Sequence, residues 1–399
     1  IKKILKRGNY FFLLIALLVF LHPLNSLYLA KEDTNDTELK SAVPCGSLKC
    51  QLPNCRCSGM SLPLAEFRGQ EKLIPQFVTV TFDDAVNAVN FEQYEELFEG
   101  VVNFDHCPAR GTFYVSHEYT DYSKVNALYN EGHEIALHSV THGQGTDYWR
   151  NADIKLIMRE FGDEMKIFEK FAKVNPKHIR GIRLPFLQIA GNATFEAIRR
   201  LGLTYDASWP TQRYQDPAMW PYTLDYLSVQ DCQIGPCPDA SIPGVWVSPM
   251  VVWTDIKGYS CSMIDGCIYP PNDEVNALFD WMMENFNRHY NGNRAPFGMY
   301  LHAAWFARGK NYFAAFKKFL SHVKTLPHVY ITTTSRVIQY MRNPVLGKPF
   351  KGCIKKPQTT CIPKSCGLFK QASDEQRYMT VCDQCPSVYP WIGNPLGVN

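Results

Sequence analysis

Apolar and polar positions in this chain fall into two alternating rhythms. Short runs rich in β-branched and aromatic residues, at 77–82, 111–115, 134–137, 179–182, 245–247, 297–301 and 329–333, predict strands. Between several of them lie longer stretches with apolar residues three and four apart, at 154–171, 192–201, 273–289 and 312–326, which predict helices. Strands that alternate with helices favour a parallel sheet covered by helices, which can close into a barrel with its reactive residues at the strands' C-terminal ends. The segment 203–270 breaks this alternation, being rich in proline, aromatic residues and cysteine, and reads as elaborated loops. Its Tyr214, Trp220, Tyr222 and Tyr226 are either contacts for a polymer chain or part of a disulfide-stapled packing layer.

Polar clusters stand where the strand-like runs stop. The first run ends in Thr81-Phe82-Asp83-Asp84-Ala85, and the third leads into His138-Ser139-Val140-Thr141-His142. Alone, an adjacent acid pair is commonly a helix cap, and two histidines four apart occur on many loops. Together they say more, because two imidazole nitrogens and a carboxylate oxygen form a donor set for a catalytic divalent ion, and buried strands seldom end in such groups without a neutralising partner. Three further clusters follow strand-like runs: Arg183-Leu184-Pro185-Phe186, Asp206-Ala207-Ser208-Trp209-Pro210 and Leu301-His302-Ala303-Ala304-Trp305.

In order and spacing, these five clusters resemble the motifs of the polysaccharide deacetylases of carbohydrate esterase family 4, in the form found in insect chitin deacetylases that lack a chitin-binding module. The resemblance implies an α/β fold, a distorted and incomplete (β/α) barrel with disulfide-rich N- and C-terminal extensions. It implies Asp84, His138 and His142 as metal ligands, with Zn2+ the expected ion and Co2+ or Ni2+ compatible with the same donors. Asp83 is then the general base toward the attacking water, and Arg183 holds it through a charge-assisted hydrogen bond. His302 is the general acid for the departing amine, and Asp206 accepts its other ring hydrogen. The backbone N–H of Phe186 stabilises the oxyanion; family members more often carry tyrosine there, but a main-chain donor survives the change. Leu301 and Trp209 are expected to bind substrate by walling a pocket for the acetyl methyl, and Trp209, Trp253 and Trp305 are either platforms for sugar rings or core residues. The implied activity is hydrolysis of N-acetyl groups on N-acetylglucosamine units of chitin or its oligosaccharides, giving chitosan and acetate. The alternatives are a weakly active or inactive chitin-binding, matrix-organising protein on this fold, or a deacetylase of another polysaccharide.

Composition places this chemistry outside the cell. Lys2, Lys3, Lys6 and Arg7 precede an apolar run at 11–21 that is too short to span a bilayer and reads as a signal peptide cleaved after Ser26, with Ala30 the less suitable site. Fourteen cysteines, an even number, suit an oxidising compartment, although spacing does not give their pairing. Cys382 and Cys385 form a lone CxxC, for which a structural disulfide role is favoured over half a zinc ribbon. Asn35 and Asn192 head glycosylation sequons. The resulting organisation is a leader at 1–26, a cysteine-bearing segment at 27–70, a catalytic domain at 71–345 and a cysteine-rich extension at 346–399. A net charge of +3 and the lack of a basic run beyond the leader speak against nucleic acid and suit a neutral polymer. The expectation is a secreted monomer with no stable membrane association after cleavage, and the resemblance suggests an arthropod gut lining or cuticle matrix.

Overall fold

The computed structural model describes residues 39–399, apart from 47–48, 144, 272–273, 347–349, 351–352 and 372. The expected leader, the Asn35 sequon and the expected helix start at Asp273 therefore lie outside the described residues. Nine strands form the main sheet: β1 Gln76–Asp83, β2 Thr112–Val115, β3 Glu134–Leu137, β4 Gly181–Ile182, β5 Tyr205–Asp206, β6 Tyr222–Leu224, β7 Ile242–Val247, β8 Phe297–His302 and β9 Val329–Ile331. Their order is β8-β1-β2-β3-β4-β5-β7-β6, and β9 pairs with β1. Only the β6–β7 pair is antiparallel. Among the described residues the sheet does not close on itself; Trp253 Nε1 donates to Gly298 O at 2.8 Å and Tyr300 Oη to Pro249 O at 3.3 Å, tying β8 to the 249–253 segment. This is the parallel, helix-covered sheet that the alternation predicts, in the incomplete (β/α) barrel form that the family resemblance implies.

All eight residues of β1 are buried, as expected for a strand covered on both faces. Period-two alternation sends Val78, Val80 and Phe82 into the main hydrophobic cluster, while Phe77 joins a second cluster with Tyr114, Ala136, Tyr205 and Trp246. Thr81 and Asp83 share a strand face and meet one guanidinium, that of Arg183. Register completes the positioning: Asp83 stands opposite His302 on one side and Tyr114 on the other. Gly181 lets β4 approach β5, since a Cβ there would lie 2.0 Å from the Tyr205 ring.

The helices at Ile154–Ala172, Asn192–Arg200, Val275–Tyr290 and Lys310–Val323 correspond to the four predicted ones. Ile154–Ala172 begins where Asp153 accepts the Leu156 N–H at 2.7 Å, and its buried stripe includes Ile157, Phe161, Glu164, Phe168 and Phe171. Further helices at Ala88–Phe98, Tyr122–Glu131 and Thr334–Arg342 have no counterpart in the sequence reading.

All fourteen cysteines are paired, as Cys45–Cys57, Cys50–Cys55, Cys107–Cys353, Cys232–Cys237, Cys261–Cys267, Cys361–Cys382 and Cys366–Cys385. Cys382 and Cys385 thus bond to separate partners rather than to each other. The C-terminal extension forms a hairpin, Lys364–Phe369 with Gln376–Val381, and lies against the catalytic region through Cys382 N–H to Phe171 O at 2.8 Å and the His117 Nε2 contact with Pro390 O at 2.8 Å.

Candidate active site

Asp84, His138 and His142 converge at the C-terminal ends of β1 and β3. Their ligating atoms lie within 4.8 Å of one another; Asp84 Oδ1 is 3.1 Å from His142 Nε2 and 3.7 Å from His138 Nε2. His138 Nδ1 lies 2.7 Å from Arg183 O, which can only accept, so that nitrogen carries the hydrogen and Nε2 presents a lone pair toward Asp84. Burial pulls His138 down to about 4 despite the carboxylates nearby, keeping the ring neutral and fit to ligate. Burial acts upward on Asp84, but the His142 hydrogen bond and the three neighbouring imidazoles outweigh it and hold the carboxyl well below its ordinary range. The donor set therefore suits a divalent cation.

Two buried acids shape the ligand loop. From the Ile154–Ala172 helix, Glu164 Oε2 accepts the N–H groups of His138 and Ser139 at 3.0 and 2.8 Å. One turn earlier, Glu160 accepts Val140 N–H at 3.1 Å, Thr141 N–H at 3.0 Å, Thr141 Oγ1 at 2.5 Å and Tyr148 Oη at 2.6 Å. Such support lets the loop hold unusual backbone angles. Of the ten non-glycine residues at positive φ among those described, five belong to the site: Asp84, Ser139, His142, Phe186 and Leu187.

Beside the ligands, Asp83 is buried and accepts Arg183 Nη1 at 2.6 Å. Arg183 is fully buried, donates to Thr81 Oγ1 at 2.9 Å and to Ala207 O at 2.8 Å, and stacks 4.1 Å from the Tyr114 ring centre. His302 Nε2 faces Asp84 Oδ2 at 3.8 Å. Burial works against charge on His302, but the hydrogen bond it donates to Asp265 and the charges of Asp83, Asp265 and Asp84 lift it to about 9.

The expected partner of His302 is corrected by the geometry. Asp206 is fully buried, and its two oxygens accept Ser208 N–H at 2.9 Å and Ser208 Oγ–H at 2.5 Å. Ser208 Oγ in turn accepts Leu184 N–H at 2.8 Å. A turn that returns its own donors within two residues occupies the carboxylate locally, so Asp206 clamps the Arg183–Phe186 segment. The His302 Nδ1 contact is made instead by Asp265 Oδ2 at 2.7 Å.

Phe186 takes a left-handed conformation, φ 59° and ψ 13°, and its half-exposed ring lies 5.7 Å from the ring centre of His142. Leu301 and Trp209 are both buried, with Trp209 Nε1 donating to Asp231 O at 2.9 Å. Burial of Trp209, Trp253 and Trp305 leaves none of them as an open platform for a sugar ring. Tyr214, Trp220 and Tyr222 are buried too, which makes them a packing layer; only Tyr226 of the four is partly open.

Residues 70–206 match the polysaccharide deacetylase family. Chitin deacetylase 8 of Bombyx mori is 43% identical over 365 residues, covering 90% of this chain and 95% of that protein. The chain belongs to the polysaccharide deacetylase family. Chitin deacetylase 1 of Bombyx mori is 33% identical over 384 residues, 91% of this chain and 70% of that one. A crystal structure from Mycobacterium smegmatis, assigned to polysaccharide deacetylases, superposes with a TM-score of 0.49 at 17% identity over 81% of this chain and 100% of that chain. As a polysaccharide deacetylase, the chain is a hydrolase of a metal-dependent family, and its Asp84-His138-His142 cluster is the matching candidate metal site.

Sequence reasoning missed three residues that the structure places at this cluster. Glu160 and Glu164 carry a readable signal, since both are acids within the buried stripe of an amphipathic helix. Asp265 carries none beyond lying between two cysteines.

Proposed function

We propose that this chain is a secreted, metal-dependent chitin deacetylase that hydrolyses the N-acetyl groups of N-acetylglucosamine units to give chitosan and acetate. The observation that carries the reading is the gathering of Asp83, the Asp84-His138-His142 cluster and His302 at one end of the sheet, with Asp83 and His302 in register on adjacent strands. The activities named for the two Bombyx mori relatives support chitin as the polymer.

Asp84, His138 and His142 would hold a divalent cation, which supplies polarisation of the acyl oxygen and acidification of the attacking water. Zinc suits two imidazoles and a carboxylate outside the cell, and cobalt or nickel fit the same donors. Asp83 takes the water's proton, its carboxylate aimed by Arg183. The Phe186 N–H, presented by the left-handed turn, donates to the negative oxygen of the tetrahedral intermediate. His302 Nε2 gives its proton to the amide nitrogen as the C–N bond breaks, so the amine leaves neutral. Leu301 and Trp209, both buried, would back the space that receives the acetyl methyl from behind its surface.

Seven disulfides support an oxidising, extracellular setting. No helix among the described residues is long and apolar enough to cross a membrane. The proposal includes a leader ending at Ser26, a catalytic domain at 71–345 between flanks at 27–70 and 346–399, a monomeric state, and a place in an arthropod gut lining or cuticle matrix.

Acetate release from chitin oligomers, measured with and without a chelator and after zinc add-back, tests the reading. Chelator-sensitive release restored by zinc is expected. Absence of release from both oligomers and polymer, by protein with bound metal and intact disulfides, would overturn it.

A further inference from the structure

His302 stands at the end of a core strand, yet its Nδ1 partner comes from outside the βα alternation. Asp265 lies in the one-turn element Ile264–Gly266, inside a loop closed by the Cys261–Cys267 disulfide. Three separate constraints fix this loop. The disulfide joins its ends across a Cα–Cα distance of 5.2 Å. Ile264, adjacent to Asp265, is fully buried in the main core. Arg308 Nη1 donates to Asp265 O at 3.0 Å and to Tyr269 Oη at 3.2 Å, holding the turn from the far side of β8 along the chain.

The carboxylate itself is only 11% exposed, and its Oδ1 has no hydrogen-bond partner among the described residues. A half-satisfied buried carboxylate costs stability, so nothing in the packing of the loop accounts for an acid at this position. Among the described residues its single side-chain hydrogen-bond partner is His302. The acid expected for that task, Asp206, is consumed by Ser208.

We infer that Asp265 is the positioning residue for His302, and that the Cys261–Cys267 disulfide delivers it, so that proton donation to the leaving amine depends on a covalent loop outside the barrel. The inference rests on the deacetylase reading. Asp265 accepts the Nδ1 hydrogen, which fixes the ring's rotation and leaves Nε2 as the nitrogen that carries the transferable proton. Opening the loop would let the carboxylate move while the ligand cluster, built on β1, β3 and the Ile154–Ala172 helix, stays in place.

The test uses the full chain, loaded with zinc, on two substrates: a chitin tetramer, whose amine must be protonated to leave, and 4-nitrophenyl acetate, whose phenolate leaves without a proton. Asp265→Ala is expected to lower kcat on the tetramer by about 30- to 100-fold, within the usual range for general acid catalysis, with KM within about twofold and zinc content unchanged. Hydrolysis of the aryl ester should fall by less than about threefold. Asp265→Asn, close to isosteric and a safeguard if the alanine variant misfolds, should lose about tenfold on the tetramer alone. Joint replacement of Cys261 and Cys267 by serine should show the same substrate-selective loss, and joint replacement of Cys366 and Cys385 should not. Tetramer turnover within threefold of wild type for Asp265→Asn, or equal losses on amide and ester, would overturn the inference. A wild-type chain that releases no acetate from the tetramer would instead defeat the deacetylase reading.

Discussion

The two histidine sites of this active centre are built in opposite ways. On the ligand side, His138 and His142 sit on a loop whose backbone donors are claimed by two glutamates from a long core helix, while the His138 ring is held by the carbonyl of Arg183. These supports come from the Ile154–Ala172 helix and from the residue following β4, and His138 N–H also meets Val115 O of β2 at 3.2 Å. On the acid side, His302 continues a core strand but takes its second ring contact from a short disulfide-closed loop. A metal site requires several donors at fixed separations, which regular elements provide; a single proton donor needs only one partner to set its rotation. Under the proposed roles, variation in the 261–267 loop would retune His302 without disturbing the Asp84-His138-His142 cluster.

The strongest way to break this contrast is to remove a ligand. His138→Ala should abolish both metal binding and activity, whereas Asp83→Asn should keep the metal and lose about 10³-fold in kcat, since the base is next to the cluster but not part of it. Elemental analysis of the purified variants, alongside acetate release, checks both. A metal-free Asp83→Asn protein would show that base and ligand roles are not separable as assigned.

Glu160→Gln probes the support one layer out. Glu160 accepts four hydrogen bonds while fully buried, and glutamine can serve only part of that set while introducing two donors that face donors. Zinc affinity should weaken by about 10- to 100-fold, the usual cost of losing an outer partner. Stability should fall by about 2–3 kcal/mol, from buried donors left unpaired. Chelator competition and thermal unfolding measure the two effects. Loss of stability with unchanged zinc affinity would mean that the loop does not need Glu160 to hold its ligands.

These two sides also differ in how far the sequence discloses them. The strands carrying Asp83, His138 and His302 announce themselves as apolar runs of four or more residues ending in polar clusters, because a doubly covered strand must be apolar for its whole length. Strands of two residues, such as Tyr205–Asp206, leave no such pattern. The hairpin at Lys364–Phe369 and Gln376–Val381 buries only Cys366, Leu368, Met379 and Val381 against the main core and is also tied by disulfides, so its apolar pattern is too short for periodicity to register. Glu160 and Glu164 were readable in principle as acids on an apolar stripe. Asp265 was not, since it reaches His302 from 37 positions away through a loop whose geometry is set by a cysteine pair, and pairing does not follow from spacing. Burial of the tryptophans decides a choice left open by the sequence: aromatic residues near motifs admit a sugar-binding or a core reading, and here they fill the core.

A pH profile sharpens the acid side. His302 is raised to about 9, above an ordinary histidine value of about 6.5, by the Asp265 hydrogen bond and the neighbouring carboxylates acting against burial. A raised pKa means that the protonated form is favoured by folding: the contribution to stability is complete below about 6.5 and disappears as pH rises through about 9. For catalysis the same sign holds, because the acid must be protonated. Activity should therefore persist through neutral pH and decline on an alkaline limb. A cation held by Asp84 opposes part of the carboxylate charge, so the loaded enzyme should show that limb at or below about 9. The position of the limb in kcat, measured between pH 6 and pH 10 at roughly unit spacing, checks this; a limb near 6.5 would mean that Asp265 does not raise His302 in the working enzyme.

The smallest effect is expected at Phe186. Its assigned contribution comes from the backbone N–H, which the left-handed turn presents and any side chain retains. The ring is half-exposed beside His142 and makes no hydrogen bond of its own. Phe186→Tyr should thus leave kcat within about threefold, since a main-chain donor worth about 10²–10³ is kept and only a hydroxyl is added at a solvent-facing edge. The turn should persist, because tyrosine meets the same backbone cost at positive φ as phenylalanine. Steady-state kinetics on a chitin tetramer decide the point. A rise or fall of tenfold or more would show that the side chain, not the main chain, carries the difference between this site and one with tyrosine, and would bring the ligand side under the control of an exposed ring.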